Sequence, residues 1–352
     1  MGNWLRRGGL ILLIVSVVLS VFWWRTMLWT GQLRPVHPHF AGTCAVAAPI
    51  VGAEDLVIDR ENRMVFISSH DRRQPSSTGS IWMMPVDAPS TAKPMILPDL
   101  GGAGFAPHGL DLYVDSDGTR YLFVIDHGSK PNELVRKFAI AGDRLMLVRT
   151  FESDLFYSPN DLSVVGDNQF YMTNDTSAKA GSLHAFVTAL FRRKNGNVVW
   201  VDDMSVTPVA TGFAYANGIA ASDDGKQLFV SGMMDQALRI YDRAPSTGEL
   251  ILRDQLHLGS GLDNIDVAAD GSLWIGSHPR LLDLSGHAKD AAKPSPSQVF
   301  RIELDEKKVS EVYLSNGDPL HALSVAAVID NTIFMGGVFD TSLLVCTQQK
   351  EE

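Results

Sequence analysis

The pattern of hydrophobic and polar residues divides the chain into two unequal parts. Near the N-terminus an apolar run extends from Leu10 to Trp24 and contains no charged residue. With its flanking glycines, this run approaches the ~20 residues that a helix needs to cross a bilayer. From Cys44 onward, the apolar residues occur instead in short β-rich runs separated by turns. Little of this second part has helical periodicity.

The short runs recur as a unit of two strands joined by a turn. Each unit opens with a polar residue, enters an apolar strand, turns at Asp, Asn or Gly, and ends in a second apolar strand. The six units open at Glu54, His108, Asn160, Asn217, Asp263 and His321. Hairpins repeated about every 50 residues are typical of a β-propeller. The sequence therefore predicts an all-β, six-bladed β-propeller over residues 44–348, and the regular repeat favours it over a large β-sandwich.

The residues around the apolar run predict a transmembrane signal anchor over residues 1–30, followed by a linker over residues 31–43. Arg6 and Arg7 precede the run, so the positive-inside rule keeps this end cytoplasmic. The run ends in Phe-Trp-Trp-Arg at residues 22–25, which is a poor signal-peptidase site and a good interfacial anchor. We expect an uncleaved anchor rather than a cleaved signal peptide. The globular part then lies outside the cytoplasm, in a periplasm, a lumen or at the cell exterior.

The residues that open the six units are expected to meet at one mouth of a central channel. Carboxylate and amide oxygens dominate this set, and calcium prefers such ligands, whereas zinc calls for more histidine or cysteine. The predicted ring comprises Glu54, Asn160, Asn217, Asp263 and Asn264. Adjacent strand residues point in opposite directions, so Asp55 and Asp161 predict a second, deeper calcium. The alternative is that these residues merely cap strands and turns.

Two histidines flank the turn of the second unit at nearly equal distances. His108 precedes the turn centre at Asp117 by nine residues, and His127 follows it by ten. In an antiparallel hairpin these positions reach the same edge of the sheet. We therefore expect both imidazoles at the channel mouth, with His108 as general base and His127 assisting it. Asp126 is available as an orienting carboxylate.

Composition adds two constraints. The net charge is -10, with 40 acidic and 30 basic residues, which argues against nucleic acid as a partner. The chain has two cysteines, Cys44 and Cys346, at opposite ends of the predicted propeller. An oxidising compartment favours a disulfide between them over two unrelated buried thiols.

One segment departs from the β-rich pattern. Apolar residues recur there at helical spacing and are followed by three basic residues: Leu183, Phe186, Val187, Leu190, Phe191, Arg192, Arg193 and Lys194. This pattern predicts an amphipathic helix over residues 183–194, suited to a membrane surface or to packing on the propeller.

Eight short motifs together resemble the paraoxonase/arylesterase family of six-bladed propellers, which are calcium-dependent lactonases and esterases. They lie at residues 52–56, 66–69, 107–109, 160–162, 173–175, 216–219, 263–265 and 276–279. The resemblance runs from about Cys44 to Cys346 and implies a disulfide between them. It also implies that His108 and His127 form the histidine dyad of the family.

The resemblance implies two calcium ions per chain. The catalytic calcium would be bound by Glu54, Asn160, Asn217, Asp263 and Asn264. The structural calcium would be bound by Asp55, Asp161 and the backbone carbonyl of Leu110. These sets match those that the repeat pattern predicts, apart from Leu110, which only the resemblance supplies.

The predicted function is calcium-dependent hydrolysis of small hydrophobic lactones and aryl esters. The alternatives are a non-enzymatic calcium-binding propeller scaffold, and an enzyme whose main role is phosphotriester or sugar-lactone hydrolysis. The chain departs from the family pattern at Arg73, Thr176 and Tyr215. These positions are expected on the pocket wall, where they would change substrate preference and not the metal chemistry.

Overall fold

The computed structural model describes residues 2–74, 76–100, 104–128, 133–177, 187–188, 191–203 and 205–349. The helices with described bounds are α1 (Gly2–Trp29), α2 (Leu281–Lys289) and a short 3-10 helix, Pro89–Thr91. Of the predicted amphipathic segment 183–194, residues 183–186 and 189–190 lie outside the described residues. That prediction therefore stays open.

The strands form six antiparallel sheets arranged as the blades of a propeller, which confirms the predicted fold. Blade 1 contains β3 (Ala53–Asp59), β4 (Met64–Ser69), β5 (Ser80–Pro85) and β6 (Lys93–Pro94); blade 2 contains β7 (Pro107–Val114), β8 (Arg120–Asp126), β9 (Leu134–Ala141) and β10 (Arg144–Glu152); blade 3 contains β11 (Pro159–Gly166), β12 (Gln169–Asn174), β13 (Gly196–Asp202) and β14 (Ser205–Phe213). Blade 4 contains β15 (Ala216–Ala221), β16 (Gln227–Gly232), β17 (Ala237–Arg243) and β18 (Leu250–His257); blade 5 contains β19 (Gly261–Val267), β20 (Leu273–His278), β21 (Ser297–Glu303), β22 (Lys308–Ser315) and the edge strand β1 (His39–Phe40); blade 6 contains β23 (Leu323–Ile329), β24 (Thr332–Gly337), β25 (Leu343–Gln348) and β2 (Gly42–Ala48).

Blade 6 joins the two ends of the propeller. Its outer strand, β2, comes from the N-terminal side of the chain and pairs with β25 from the C-terminal side. Cys44 and Cys346 lie directly opposite each other in this pairing and form a disulfide. The predicted disulfide is thus confirmed, and it fixes the strand pair that closes the ring of blades. Strand β1 and the start of β2 fall within the predicted linker, residues 31–43.

The hydrophobic core lies between the blades. Between blades 2 and 3, for example, the buried rings of Phe123, Phe151 and Phe170 pack with centroid distances of 5.2–6.0 Å. Aspartates on the inner strands add hydrogen bonds across the same interfaces. The carboxylate of Asp55 in blade 1 accepts a hydrogen bond from the backbone N–H of Leu110 in blade 2, at 2.8 Å.

Helix α1 stands apart from this core but is attached to it at one end. Its segment Arg7–Trp29 is long and apolar enough to cross a bilayer, and its most apolar part is not buried against the rest of the described chain. At its C-terminal end, the carbonyl of Trp29 accepts a hydrogen bond from Gln236 at 2.6 Å. The carbonyl of Thr30 accepts one from the backbone N–H of Leu281 at 3.0 Å. An apolar helix free in its middle and fixed at its end fits the predicted anchor.

The closure of blade 6 generates a stability prediction. Replacing both Cys44 and Cys346 by Ser removes a cross-link that spans 302 residues of sequence. We expect the free energy of unfolding to fall by about 2–5 kcal/mol, seen as a lower Tm of the detergent-solubilised full chain. Reductant should lower the Tm of the wild type and leave the Tm of the double variant unchanged. Equal Tm values for the wild type and the double variant, both measured without reductant, would contradict the role of the disulfide.

Candidate active site

The inner strands of all six blades leave their regular pairing at the same end of the propeller. In blade 1, Ala53 and Leu56 pair with β4, whereas Glu54 and Asp55 between them do not. Blades 2 to 6 interrupt the pairing of their first two strands at the corresponding place. Such bulges re-aim side chains and release them from the strict alternation of a strand. This irregularity brings the predicted ring residues together at one channel mouth.

Blade 6 differs from the prediction. Its interrupted position lies between Leu323 and Val325, so that Ser324 takes the place expected for His321. His321 precedes the strand, and its ring stacks on that of His287 with a centroid distance of 4.8 Å. The expectation that His321 joins the ring is therefore wrong. The sixth unit opens three residues later than its polar pattern indicates.

The predicted calcium ligands are buried and adjacent. Glu54, Asn160, Asn217, Asp263 and Asn264 have residue exposures of 1–6%. The side-chain amide of Asn264 donates to the carbonyl and to the carboxylate of Glu54, at 3.0 and 3.1 Å. Asp263 accepts a hydrogen bond from Nε2 of His278 at 2.7 Å, and the carboxylates of Asp263 and Glu54 are close enough to raise the pKa of Glu54.

Several oxygens of this ring have no hydrogen-bond partner among the described residues. They are Glu54 Oε2, Asn160 Oδ1, Asn217 Oδ1 and Asn264 Oδ1. A buried acceptor without a partner costs about 1–3 kcal/mol, so a group of them on one channel wall is suited to an electropositive ligand. A set of carboxylate and amide oxygens fits a hard cation such as calcium.

The electrostatics of the channel also favour a bound cation. Burial raises the pKa of Glu54 to about 7; Arg72 opposes this rise and Asp263 adds to it. Burial also raises the pKa of Asp55 and of Asp161 well above its usual value, and neighbouring carboxylates contribute. A cation would offset these like charges. Within the described ranges, no three His, Cys, Asp or Glu side chains converge so as to hold a metal. A cation here would therefore depend on the amide oxygens.

The carboxylates of the deeper pair, Asp55 and Asp161, each accept hydrogen bonds from the backbone of their own blade and of the next blade. Asp55 accepts from the N–H groups of Leu56 and Leu110 at 2.9 and 2.8 Å. Asp161 makes the same pattern with Leu162 and Ile219, at 2.7 and 2.8 Å. These bonds leave further lone pairs on each carboxylate, so they are compatible with a second cation. They also show that both aspartates already connect neighbouring blades.

The two predicted catalytic histidines lie together at the channel mouth. The ring centroids of His108 and His127 are 5.0 Å apart, with an edge-to-face interplanar angle of 75°. Nε2 of His108 is 3.6 Å from Oε1 of Glu54. Burial, followed by the nearby charge of Arg72, holds the pKa of His108 well below its usual value. Both effects favour the neutral form of the His108 imidazole.

Two further residues contact this histidine pair, and no periodic pattern in the sequence predicts either of them. The guanidinium of Arg72 donates to Nδ1 of His108 and to the carbonyl of Pro107, both at 3.1 Å. The carboxylate of Glu133 lies 2.5 Å from Nδ1 of His127. Both lie outside the strands: Arg72 is between β4 and β5, and Glu133 directly precedes β9. A charged side chain in such a loop could be recognised only once the loop path was known.

Asp126 does not orient His127 as expected. Its carboxylate is fully buried and forms an ion pair with Arg136 at 2.6 Å. It also accepts hydrogen bonds from the backbone N–H groups of Ala106 and Gly128. Successive strand residues point to opposite faces, which places Asp126 away from its neighbour His127.

Tyr215 and Asp175 form a polar pair beside the predicted calcium ligands. Tyr215 has a left-handed backbone with φ of 66°, a conformation rare for a bulky residue and found at functional sites. The Tyr215 hydroxyl donates to Asp175, and burial raises the pKa of Asp175 to about 6. Thr176 donates to Asn195 at 3.2 Å. The guanidinium of Arg73 donates to the backbone carbonyl of His287 at 2.7 Å.

Comparison with known proteins identifies the family to which this site belongs. The family model for arylesterases matches residues 52–347. The chain belongs to the arylesterase family. Serum paraoxonase/arylesterase 2 of Gallus gallus is 31% identical over 328 residues, which cover 88% of this chain and 90% of the relative. Serum paraoxonase/arylesterase 1 of Homo sapiens is 31% identical over 332 residues, covering 89% and 91%.

Solved structures support the fold of this arylesterase. The calcium-binding protein regucalcin of Agrobacterium tumefaciens matches with a TM-score of 0.57 and 15% identity, covering 89% of this chain and 96% of that chain. At this identity the likeness concerns the propeller alone. Membership of the family makes the protein an ester-hydrolysing enzyme, which excludes the alternative of a non-enzymatic scaffold.

Proposed function

We propose that this arylesterase hydrolyses lactones and aryl esters in a calcium-dependent reaction, with two calcium ions per chain. The observation that carries the proposal is the set of buried oxygens without hydrogen-bond partners among the described residues. These oxygens lie next to a histidine pair, so a site for a cation and a group that can move protons share one channel mouth.

The proposed upper calcium is held by Glu54, Asn160, Asn217, Asp263 and Asn264, and the deeper one by Asp55, Asp161 and the carbonyl of Leu110. When bound, the upper ion supplies a Lewis acid for the substrate carbonyl. The deeper pair has a structural role, because its carboxylates already join neighbouring blades.

The residues of the chain supply the proton transfers. The pair His108 and His127 takes a proton from water, whose oxygen forms a bond to the carbonyl carbon. The ester C–O bond then breaks, and the leaving oxygen receives a proton to become a hydroxyl group. A lactone gives one hydroxy acid, and an aryl ester gives a phenol and a carboxylic acid. The apolar anchor favours hydrophobic substrates dissolved in or near a membrane.

We also propose that the site faces the membrane that holds α1, on the extracytoplasmic side. Residues 279–283, which contact residues 30–34 just after α1, directly follow His278, the hydrogen-bond partner of Asp263. Gln32 binds Asp283 at 2.8 Å, and Arg280 binds the carbonyl of Arg34 at 2.6 Å. The chain just after α1 thus contacts blade 5 next to the channel mouth, which supports the proposed orientation.

Calcium dependence can be tested on the detergent-solubilised full chain with phenyl acetate, aliphatic lactones, gluconolactone and a phosphotriester. We expect hydrolysis of phenyl acetate and of hydrophobic lactones to be lost on chelation and to return with calcium, because the ring oxygens then regain their ligand. Recovery with zinc but not calcium would contradict the proposal. Faster turnover of gluconolactone or of the phosphotriester would move the main role to that substrate.

The attachment of the anchor can be tested at Gly31. Its φ is 74°, and a Cβ added there would lie 2.0 Å from the carbonyl oxygen of Pro279, so Gly31→Ala should loosen the contact between α1 and blade 5. We expect hydrolysis of a long-chain lactone in vesicles to fall several-fold, with phenyl acetate hydrolysis in detergent unchanged. The control is Gly8→Ala, because nothing lies within 4 Å of its Cβ position. Equal vesicle activity in both variants would refute the proposed orientation.

A further inference from the structure

The hydrogen bonds around the histidine pair distinguish the two imidazoles. Nδ1 of His127 lies 2.5 Å from Oε2 of Glu133. An ionised carboxylate only accepts hydrogen bonds, so Nδ1 of His127 carries a proton. In the neutral ring the lone pair is then on Nε2. No described residue is a hydrogen-bond partner of that nitrogen, and the side chain is 28% exposed, so water can reach it.

His108 has the opposite arrangement. Its Nδ1 is 3.1 Å from the guanidinium of Arg72. Arginine only donates hydrogen bonds, so this nitrogen must be the acceptor, and the proton of the neutral ring is on Nε2. That nitrogen lies 3.6 Å from Oε1 of Glu54. His108 therefore presents an N–H group to the ring of oxygens, whereas His127 presents a lone pair.

We propose that His127 is the base of the pair and that Glu133 is its positioning residue. This inference rests on the proposed hydrolytic function and assigns the roles within it. A proton passes from the attacking water to Nε2 of His127, and the water oxygen bonds to the carbonyl carbon. Glu133 fixes the tautomer and the ring orientation and stabilises the imidazolium by its charge, without taking up the proton. His108, held by Arg72, presents its N–H group to the oxygens on the other side of the site.

The test measures kcat and KM of the detergent-solubilised full chain with phenyl acetate and one hydrophobic lactone, in saturating calcium. Glu133→Gln keeps the size of the side chain and removes its charge. We expect kcat to fall about 10–100-fold, with KM within about twofold, because orientation of the base matters in the transition state. Glu133→Asp should recover part of kcat. Glu249→Gln, at an exposed position in the connection between β17 and β18, is the matched control and should equal the wild type.

Chemical rescue provides a second test that does not require a folded Glu133 variant. Added imidazole should raise the turnover of His127→Gly at least tenfold and should not raise that of His108→Gly. The reason is that free imidazole can take the place only of the side chain that accepts the proton. Rescue of His108→Gly alone would overturn the assignment.

The outcomes separate this inference from the proposed function. Wild-type hydrolysis with Glu133→Gln at full kcat would overturn the role of Glu133 and leave the hydrolase proposal intact. A raised KM with unchanged kcat would make Glu133 a residue of the pocket wall and would equally overturn its positioning role. No hydrolysis by the wild type in calcium would refute the proposed function, and the inference with it.

Discussion

Each inner strand leaves its hydrogen-bonded pairing for one or two residues at the same end of the propeller, and the site depends on this shared irregularity. A regular strand would send adjacent residues to opposite faces. The bulges instead place a polar residue from successive blades on one channel. The backbone N–H groups of Leu110 and Ile219, next to the bulges, are then bound by carboxylates of the preceding blade. Site geometry and blade packing thus share the same residues.

This arrangement concentrates negative charge in a buried space. Glu54, Asp55, Asp161 and Asp263 have residue exposures of 2–5%, and isolated buried charges are costly unless they are paired. Arg72 lies 3.8 Å from Glu54 and offsets part of this charge. The proposed calcium ions would offset more of it and would also satisfy the ring oxygens. On this account the same cations stabilise the propeller and prepare it for hydrolysis.

The features that repeat along the chain could be predicted from the sequence. The features that depend on local strand starts and on loop paths could not. Six units with polar openings were sufficient to predict the blades, the channel and the grouping of Glu54 with Asn264. The disulfide followed from two cysteines in an oxidising compartment. The exact opening of blade 6 did not follow, because its bulge is one residue shorter than that of blade 1 and His321 lies outside it. Strand propensity carries no information on such a shift.

The contacts of the histidines show the same limit. The hairpin predicted that His108 and His127 would meet, since their positions depend on strand register alone. Arg72 and Glu133 reach them from connecting loops, whose paths depend on tertiary packing and have no periodic signature. Asp126 was the obvious partner of His127 by sequence, but the alternation of the strand directs it to Arg136.

The central claim is that the buried oxygens of the channel mouth bind calcium. The most direct measurement is an anomalous X-ray difference map from crystals of the calcium-loaded protein. The account predicts a peak about 2.3–2.6 Å from oxygens of Glu54, Asn160, Asn217, Asp263 and Asn264, and a second peak deeper in the channel beside Asp55 and Asp161. A well-ordered channel mouth filled by water alone, with no anomalous peak at saturating calcium, would contradict it.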